Sequence, residues 1–143
     1  MWGCGDVVRL RARLSRRAHE QVLLYSSGMP SPAWLAAFRV IVQATPSSTP
    51  LHHWGDFDEG GFRIAARVAK EVQALGRRLL PWRMSPSDIP ESMRVAAPPA
   101  TCARMARWAE AAGWINLREE VLEAGFVAEQ EGLLASTKAG AES

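Results

Sequence analysis

Helical periodicity is clearest from Phe62 onward. Ile64, Ala65, Val68, Ala69, Val72 and Leu75 recur at three- and four-residue spacing, and Gly76 stands where a C-cap belongs. Ser31-Pro32 supplies an N-cap and a first-turn proline for a second helix, running to about Gln43. Short unbroken apolar runs lie around these helices. Gln21 to Tyr25 closes in Ser26-Ser27-Gly28, Leu51 to Trp54 leads into a glycine-rich turn, and Arg78 to Trp82 carries Pro81, which pushes it toward an edge or toward its own end. These read as buried strands. Asp6 to Glu20 reads as a helix with Asp6 as N-cap and Val7, Val8, Leu10 and Leu14 near one face.

Thr45 to Pro50 reads as a loop, and the proline-rich stretch Pro86 to Pro99 as irregular chain. Thr101 caps a helix to about Ala112, Asn116 caps another to Glu123, and Gly125 closes it. A last helix is expected over Val127 to Leu134. The alternation strand–helix–strand–helix–strand predicts an α/β fold, a parallel sheet flanked by helices with a helical C-terminal extension. The expected plan is a basic helical lead-in over 1–20, a domain over 21–134 and a disordered tail over 135–143. Three strands make a thin sheet, so either a strand precedes them or the chain is part of something larger.

Charge adds a polarity to this picture. The 17 basic and 15 acidic residues leave a net charge of +2. Met1 to Gly55 nevertheless holds six Arg against Asp6 and Glu20, and Glu110 to Glu131 holds six Glu against Arg118. Arg16 and Arg17, with the rest of the early Arg cluster, are candidate contacts for an anionic polymer. Two cysteines, Cys4 and Cys102, build no disulfide framework, and no apolar run reaches the roughly 18 residues of a membrane span. A reduced, cytoplasmic protein is expected, with no membrane partner.

The chemistry concentrates in His52-His53-Trp54-Gly55-Asp56-Phe57-Asp58-Glu59-Gly60-Gly61-Phe62-Arg63-Ile64. Ligands of open α/β sheets bind at the carboxyl ends of strands, which is where Asp56 and Asp58 fall. If strand conformation persists through them, both side chains point to one face with Cα atoms roughly 6.5 Å apart. Two carboxylates so placed repel unless a cation lies between them, and hard oxygen donors suit Mg²⁺ or Mn²⁺. Glycines such as Gly61 permit a tight turn and leave helix N–H groups accessible to phosphate. An ordinary acidic turn is the competing reading.

This stretch resembles the WGD-x-D-xx-G signature of the Wadjet nuclease subunit family JetD, in its C-terminal Toprim domain, which is related to that of the A subunit of archaeal topoisomerase VI. Leu24-Tyr25-Ser26-Ser27-Gly28 resembles the family's strand-to-glycine turn, Leu80-Pro81-Trp82-Arg83-Met84 the strand that follows the signature, and Glu129-Gln130-Glu131 its C-terminal EQE element. The resemblance covers about Val22 to Leu134. It implies a Toprim-like parallel sheet in which Asp56 and Asp58 bind Mg²⁺ and are catalytic, with Glu59 an outer partner and Glu129 and Glu131 further carboxylates near the site. It also implies a subunit that cuts DNA held by condensin-like defence-complex subunits, restricting plasmids; a homodimer is compatible with it. Arg63 and Arg67 would join Arg16 and Arg17 on the DNA phosphate backbone. The family also places a glutamate at the end of an earlier strand. Glu20 stands immediately before Gln21 to Tyr25, on the expected basic helix, and is not assigned that role. The family's N-terminal DNA-binding region has no counterpart, so the chain reads as a fragment, inactive alone.

Other candidates weigh less. His52 and His53 face opposite sides of a strand, so at most one, with His53 considered, can approach the aspartates. Trp54, Trp82 and Trp108 lie among apolar neighbours and read as core. No Walker loop, dinucleotide fingerprint, nucleophile elbow or zinc-protease motif occurs. A D-x-D phosphatase would carry its aspartates on the first strand, whereas a strand precedes them here. The rival from another class is a non-catalytic protein-interaction module that retains the fold.

Overall fold

The computed structural model describes residues 7–14 and 18–130. Six strands and four α-helices follow in the order β1 (Val7–Leu14), β2 (Ala18–Tyr25), α1 (Pro32–Ala44), β3 (Leu51–Trp54), α2 (Glu59–Ala74), β4 (Leu79–Pro81), β5 (Val95–Ala96), α3 (Pro99–Ala111), α4 (Ile115–Glu123) and β6 (Phe126–Val127). The main sheet runs β2-β1-β3-β4, and β5 pairs with β6 in a separate two-stranded ribbon.

The expected helix over Asp6 to Glu20 is instead an antiparallel hairpin. β1 pairs with β2 from Val7↔Tyr25 to Leu14↔Ala18. The reason is in the sequence itself. Val8, Leu10, Ala12 and Leu14 alternate with Arg9, Arg11 and Arg13, a period of two that suits a strand better than a helix. The boundary expected at residues 20 and 21 thus falls inside β2, and the lead-in belongs to the sheet. β1 also pairs antiparallel with β3, so β2 and β3 run the same way with β1 inserted between them. β3 and β4 pair in parallel.

The fold is therefore α/β, with a mixed sheet in place of the all-parallel one expected. The parallel frame β2-α1-β3-α2-β4 survives, and the turns after Tyr25, Trp54 and Pro81 share one edge of the sheet. Pro81 lies on the edge strand β4, where a missing N–H does least harm. Trp82 N–H extends the ladder beyond it, donating to His53 O at 2.8 Å.

Helix α2 buries Phe62, Ala65, Ala66, Val68, Ala69 and Val72, and Ile64 packs partly buried against the same core. α1 packs beside α2 and contributes Phe38 and Val42, while α3 packs on α2 and α4 on α3. Trp114, at the start of α4, ties this helical extension to the sheet through its indole N–H, which donates to Leu79 O at 2.8 Å. The turn between α1 and β3 is held by Arg77. Its guanidinium donates to the carbonyls of Val42, Thr45, Pro46 and Thr49, satisfying acceptors that the end of a helix leaves open. The helix expected over Val127 to Leu134 is not formed through residue 130. Phe126 and Val127 pair with β5, and Ala128 bridges to Phe57. Residues beyond 130, the expected tail included, lie outside those described.

His53 is fully buried beside Trp114, ring centroids 6.0 Å apart. Burial disfavours its charged form and lowers its pKa from 6.5 to about 3. In the unfolded chain the imidazole protonates near pH 6.5, whereas in the fold it stays neutral. Stability is therefore unaffected above that pH and falls as pH drops from 6.5 toward 3. Thermal melts across this range should show a loss approaching about 1.4 kcal/mol per pH unit relative to His53→Leu, which carries no such proton.

Candidate functional site

Strand conformation persists beyond β3. Phe57 exchanges two backbone hydrogen bonds with Ala128, its N–H donating at 2.9 Å and its carbonyl accepting at 2.8 Å. Asp58 is extended as well, at φ −147° and ψ 176°. Phe57 is fully buried against Phe62 and Phe126, so alternation turns the half-buried Asp56 and Asp58 to the other side.

Each aspartate also has a structural task. Asp58 is the N-cap of α2, and its Oδ1 accepts from Gly61 N–H at 2.7 Å. Asp56 Oδ1 accepts from Gln130 N–H at 2.7 Å. Desolvation pushes the Asp58 carboxyl above its ordinary range. The Gly61 N–H opposes this, while the charges of Asp56 and Glu59 add to it. The two aspartates thus sense each other electrostatically, and a carboxylate in that position favours whatever supplies positive charge. Glu59 itself is engaged elsewhere, its Oε2 accepting from Arg104 Nε at 2.8 Å. Among the described residues no group of three His, Cys, Asp or Glu side chains is placed to hold a metal ion.

Gly61 is required by a close approach. A Cβ built there would lie 2.1 Å from the Asp56 carbonyl oxygen, so the first turn of α2 packs directly on the Asp56 backbone. Gly60 meets no such limit, its nearest neighbour being Asp58 Oδ1 at 3.4 Å.

The other side chains singled out in the sequence disperse. Arg63 is exposed on α2, and Arg67 donates to Glu71 at 2.9 Å. His53 is in the core and stays neutral at physiological pH, which removes it from contact with a substrate. Glu129 is exposed, and Arg16, Arg17 and Glu131 lie outside the described residues. Trp54 is core as expected, with Trp82 and Trp108 partly buried.

Sequence reasoning missed the role of Gln130. It is 1% exposed and serves three elements at once. Its backbone N–H holds Asp56, its side-chain Oε1 accepts from Trp54 Nε1 at 2.6 Å, and its Nε2 donates to Arg83 O at 3.2 Å. The only signal was its place between two glutamates, and no periodicity marks a buried amide. Arg83 was missed as well. Its backbone is left-handed at φ 52°, and Ser27, in the turn after β2, is the other described non-glycine residue with positive φ. Both lie on the edge that carries Asp56 and Asp58, where such backbone costs of order 1 kcal/mol for a residue with a Cβ.

These features define a mixed α/β protein with an acidic strand-to-helix turn at the carboxyl edge of its sheet. Over residues 7–138 the chain matches the family described as "Protein of unknown function C-terminus (DUF2399)", and it belongs to that family. No curated protein and no solved structure matched it.

The two glycines give a direct test of the turn. Gly61→Ala should cost more than about 2 kcal/mol, because the clash is with backbone. Gly60→Ala should be neutral or stabilise by up to about 1 kcal/mol through helix propensity. Urea titration of both variants reads the difference.

Proposed function

We propose that this chain is the Toprim-like part of a metal-dependent DNA-cleaving subunit, of the kind that serves Wadjet-type plasmid defence, with Asp56 and Asp58 holding Mg²⁺ or Mn²⁺. The observation that carries the reading is the pairing of these aspartates on one side of the β3–α2 turn, with Asp58 partly desolvated in the field of Asp56. The donor set fits. Mg²⁺ is commonly bound by one or two carboxylates while keeping several waters, and a carboxylate that caps a helix with one oxygen has a second for a metal. A bound metal would supply charge neutralisation at a phosphodiester and a more acidic water.

The chain's own residues contribute orientation. Gln130 N–H fixes Asp56, and the α2 N-terminus fixes Asp58 and brings its positive dipole end to the turn. Arg63, exposed on the first turns of α2, would be a further contact for a DNA phosphate. DNA and condensin-like subunits are the partners in this reading.

The scarcity of acidic ligands among the described residues favours a second reading as well. With Glu59 held by Arg104, the fold could serve as an interaction module without catalysis. Metal binding separates the two. Millimolar Mn²⁺ should raise the melting temperature by relieving the carboxylate repulsion. Asp58→Asn should remove that shift while staying folded within about 1 kcal/mol, since Asn caps a helix as well as Asp. No shift in the unaltered chain would leave only the interaction module.

Activity is a separate matter. With two protein carboxylates to orient the metal, the chain alone should nick supercoiled plasmid very slowly or not at all with Mg²⁺ or Mn²⁺. Efficient nicking, abolished by Asp56→Ala, would show that the two aspartates suffice.

A further inference from the structure

Arg83 follows β4 directly, on the same edge of the sheet as Asp56 and next to the strand that leads to it. Two contacts set its position, and two more brace them. Gln130, whose backbone N–H holds Asp56, donates its side-chain amide to the Arg83 carbonyl. The Arg83 guanidinium lies over the Trp82 ring, 4.6 Å from its centroid. Trp82 packs edge-on against Trp54, centroids 6.2 Å apart, and Trp54 in turn donates to Gln130. Gln130, Arg83, Trp82 and Trp54 therefore form a ring of contacts, to which Asp56 is joined through Gln130.

Arg39, Arg67, Arg104 and Arg118 each pair with a glutamate, whereas among the described residues no carboxylate pairs with Arg83, as none does with Arg63, Arg78 or Arg94. The Arg83 backbone is held left-handed, a conformation that packing must enforce on a residue with a Cβ. An arginine held over an aromatic ring keeps N–H groups that can meet a phosphate in a bidentate contact. Arg83 also borders a groove of about 480 Å³ whose wall includes Arg78 and Asn116 together with Asp88 and Glu120, both of which accept from Ser85.

We propose that Arg83 binds a phosphodiester of a nucleic-acid strand, fixed by Gln130 and Trp82 beside the Asp56–Asp58 turn. The inference rests on reading that turn as a phosphodiester site, and it names the residue that holds the anion there. Arg63 and Arg67 lie on α2, whereas this contact comes from the residue that follows β4.

The test is fluorescence anisotropy with a short labelled DNA duplex in EDTA, which keeps it independent of metal. At low salt the chain should bind. Arg83→Ala should weaken binding about tenfold and reduce the slope of log affinity against log salt by about 0.9, the share of one phosphate contact. Arg83→Lys should keep the slope and recover part of the affinity. Arg118→Ala removes the same charge from a guanidinium already paired with Glu110 and should leave binding unchanged. Circular dichroism and melting temperature would establish that each variant is folded. No binding by the unaltered chain, equal binding by Arg83→Ala, or an equal loss with Arg118→Ala would overturn the proposal. Calorimetry with Mn²⁺ on the same proteins reports separately on Asp56 and Asp58. Failure of the metal reading thus shows there, and failure of the Arg83 contact shows in the anisotropy.

Discussion

The two hydrogen bonds that Phe57 and Ala128 exchange are the constraint on which the site depends. Together with the Gln130 bonds to Asp56 and Trp54, they join the turn after β3 to a segment more than sixty residues further on. With them, Phe57 is driven into the core between Phe62 and Phe126, and strand alternation directs both neighbouring aspartates the other way. The same bridge carries Gln130 to Asp56 two residues further on. Hydrophobic burial, backbone pairing and the presentation of charge are thus fixed by one contact.

Electrostatics at the turn follows from that placement. Asp58 is held by the N–H of Gly61, which favours its ionised form, yet burial and the neighbouring acids act against ionisation more strongly. The backbone path thus sets half-buried acids at the positive end of the α2 dipole, which favours their negative charge. Gly61 maintains that path. Its lack of a Cβ lets α2 start against the Asp56 backbone, so the helix dipole acts on the turn at short range.

The opposite side of the turn is organised by aromatic and amide contacts. Trp54 and Trp82 were legible as apolar residues, and they do pack together. Their polar edges and faces matter as much: one indole N–H orders Gln130, and the other ring supports Arg83. Trp114 performs a similar task away from the site, binding the α3–α4 extension to Leu79 and covering His53. Family membership over residues 7–138 takes in both the hairpin and the segment that carries Gln130.

The sequence by itself determined the elements whose pattern is local. The α2 stripe, the Ser31-Pro32 start of α1, the edge position of Pro81 and the acidic turn after β3 all follow from spacing, capping and glycine placement, and each stands in the fold. It also held the evidence for β1, in the alternation of Arg9, Arg11 and Arg13 with apolar residues, although Val7, Val8, Leu10 and Leu14 fit a helical face as well. Tertiary structure decided between these periods, because β1 gains backbone partners on both sides, from β2 and from β3. It alone decided what joins the aspartates. Gln130 and Arg83 reach the site through pairings between segments remote in sequence. A single buried amide or a left-handed arginine leaves no periodic trace, because its role exists only once the partners have been brought together.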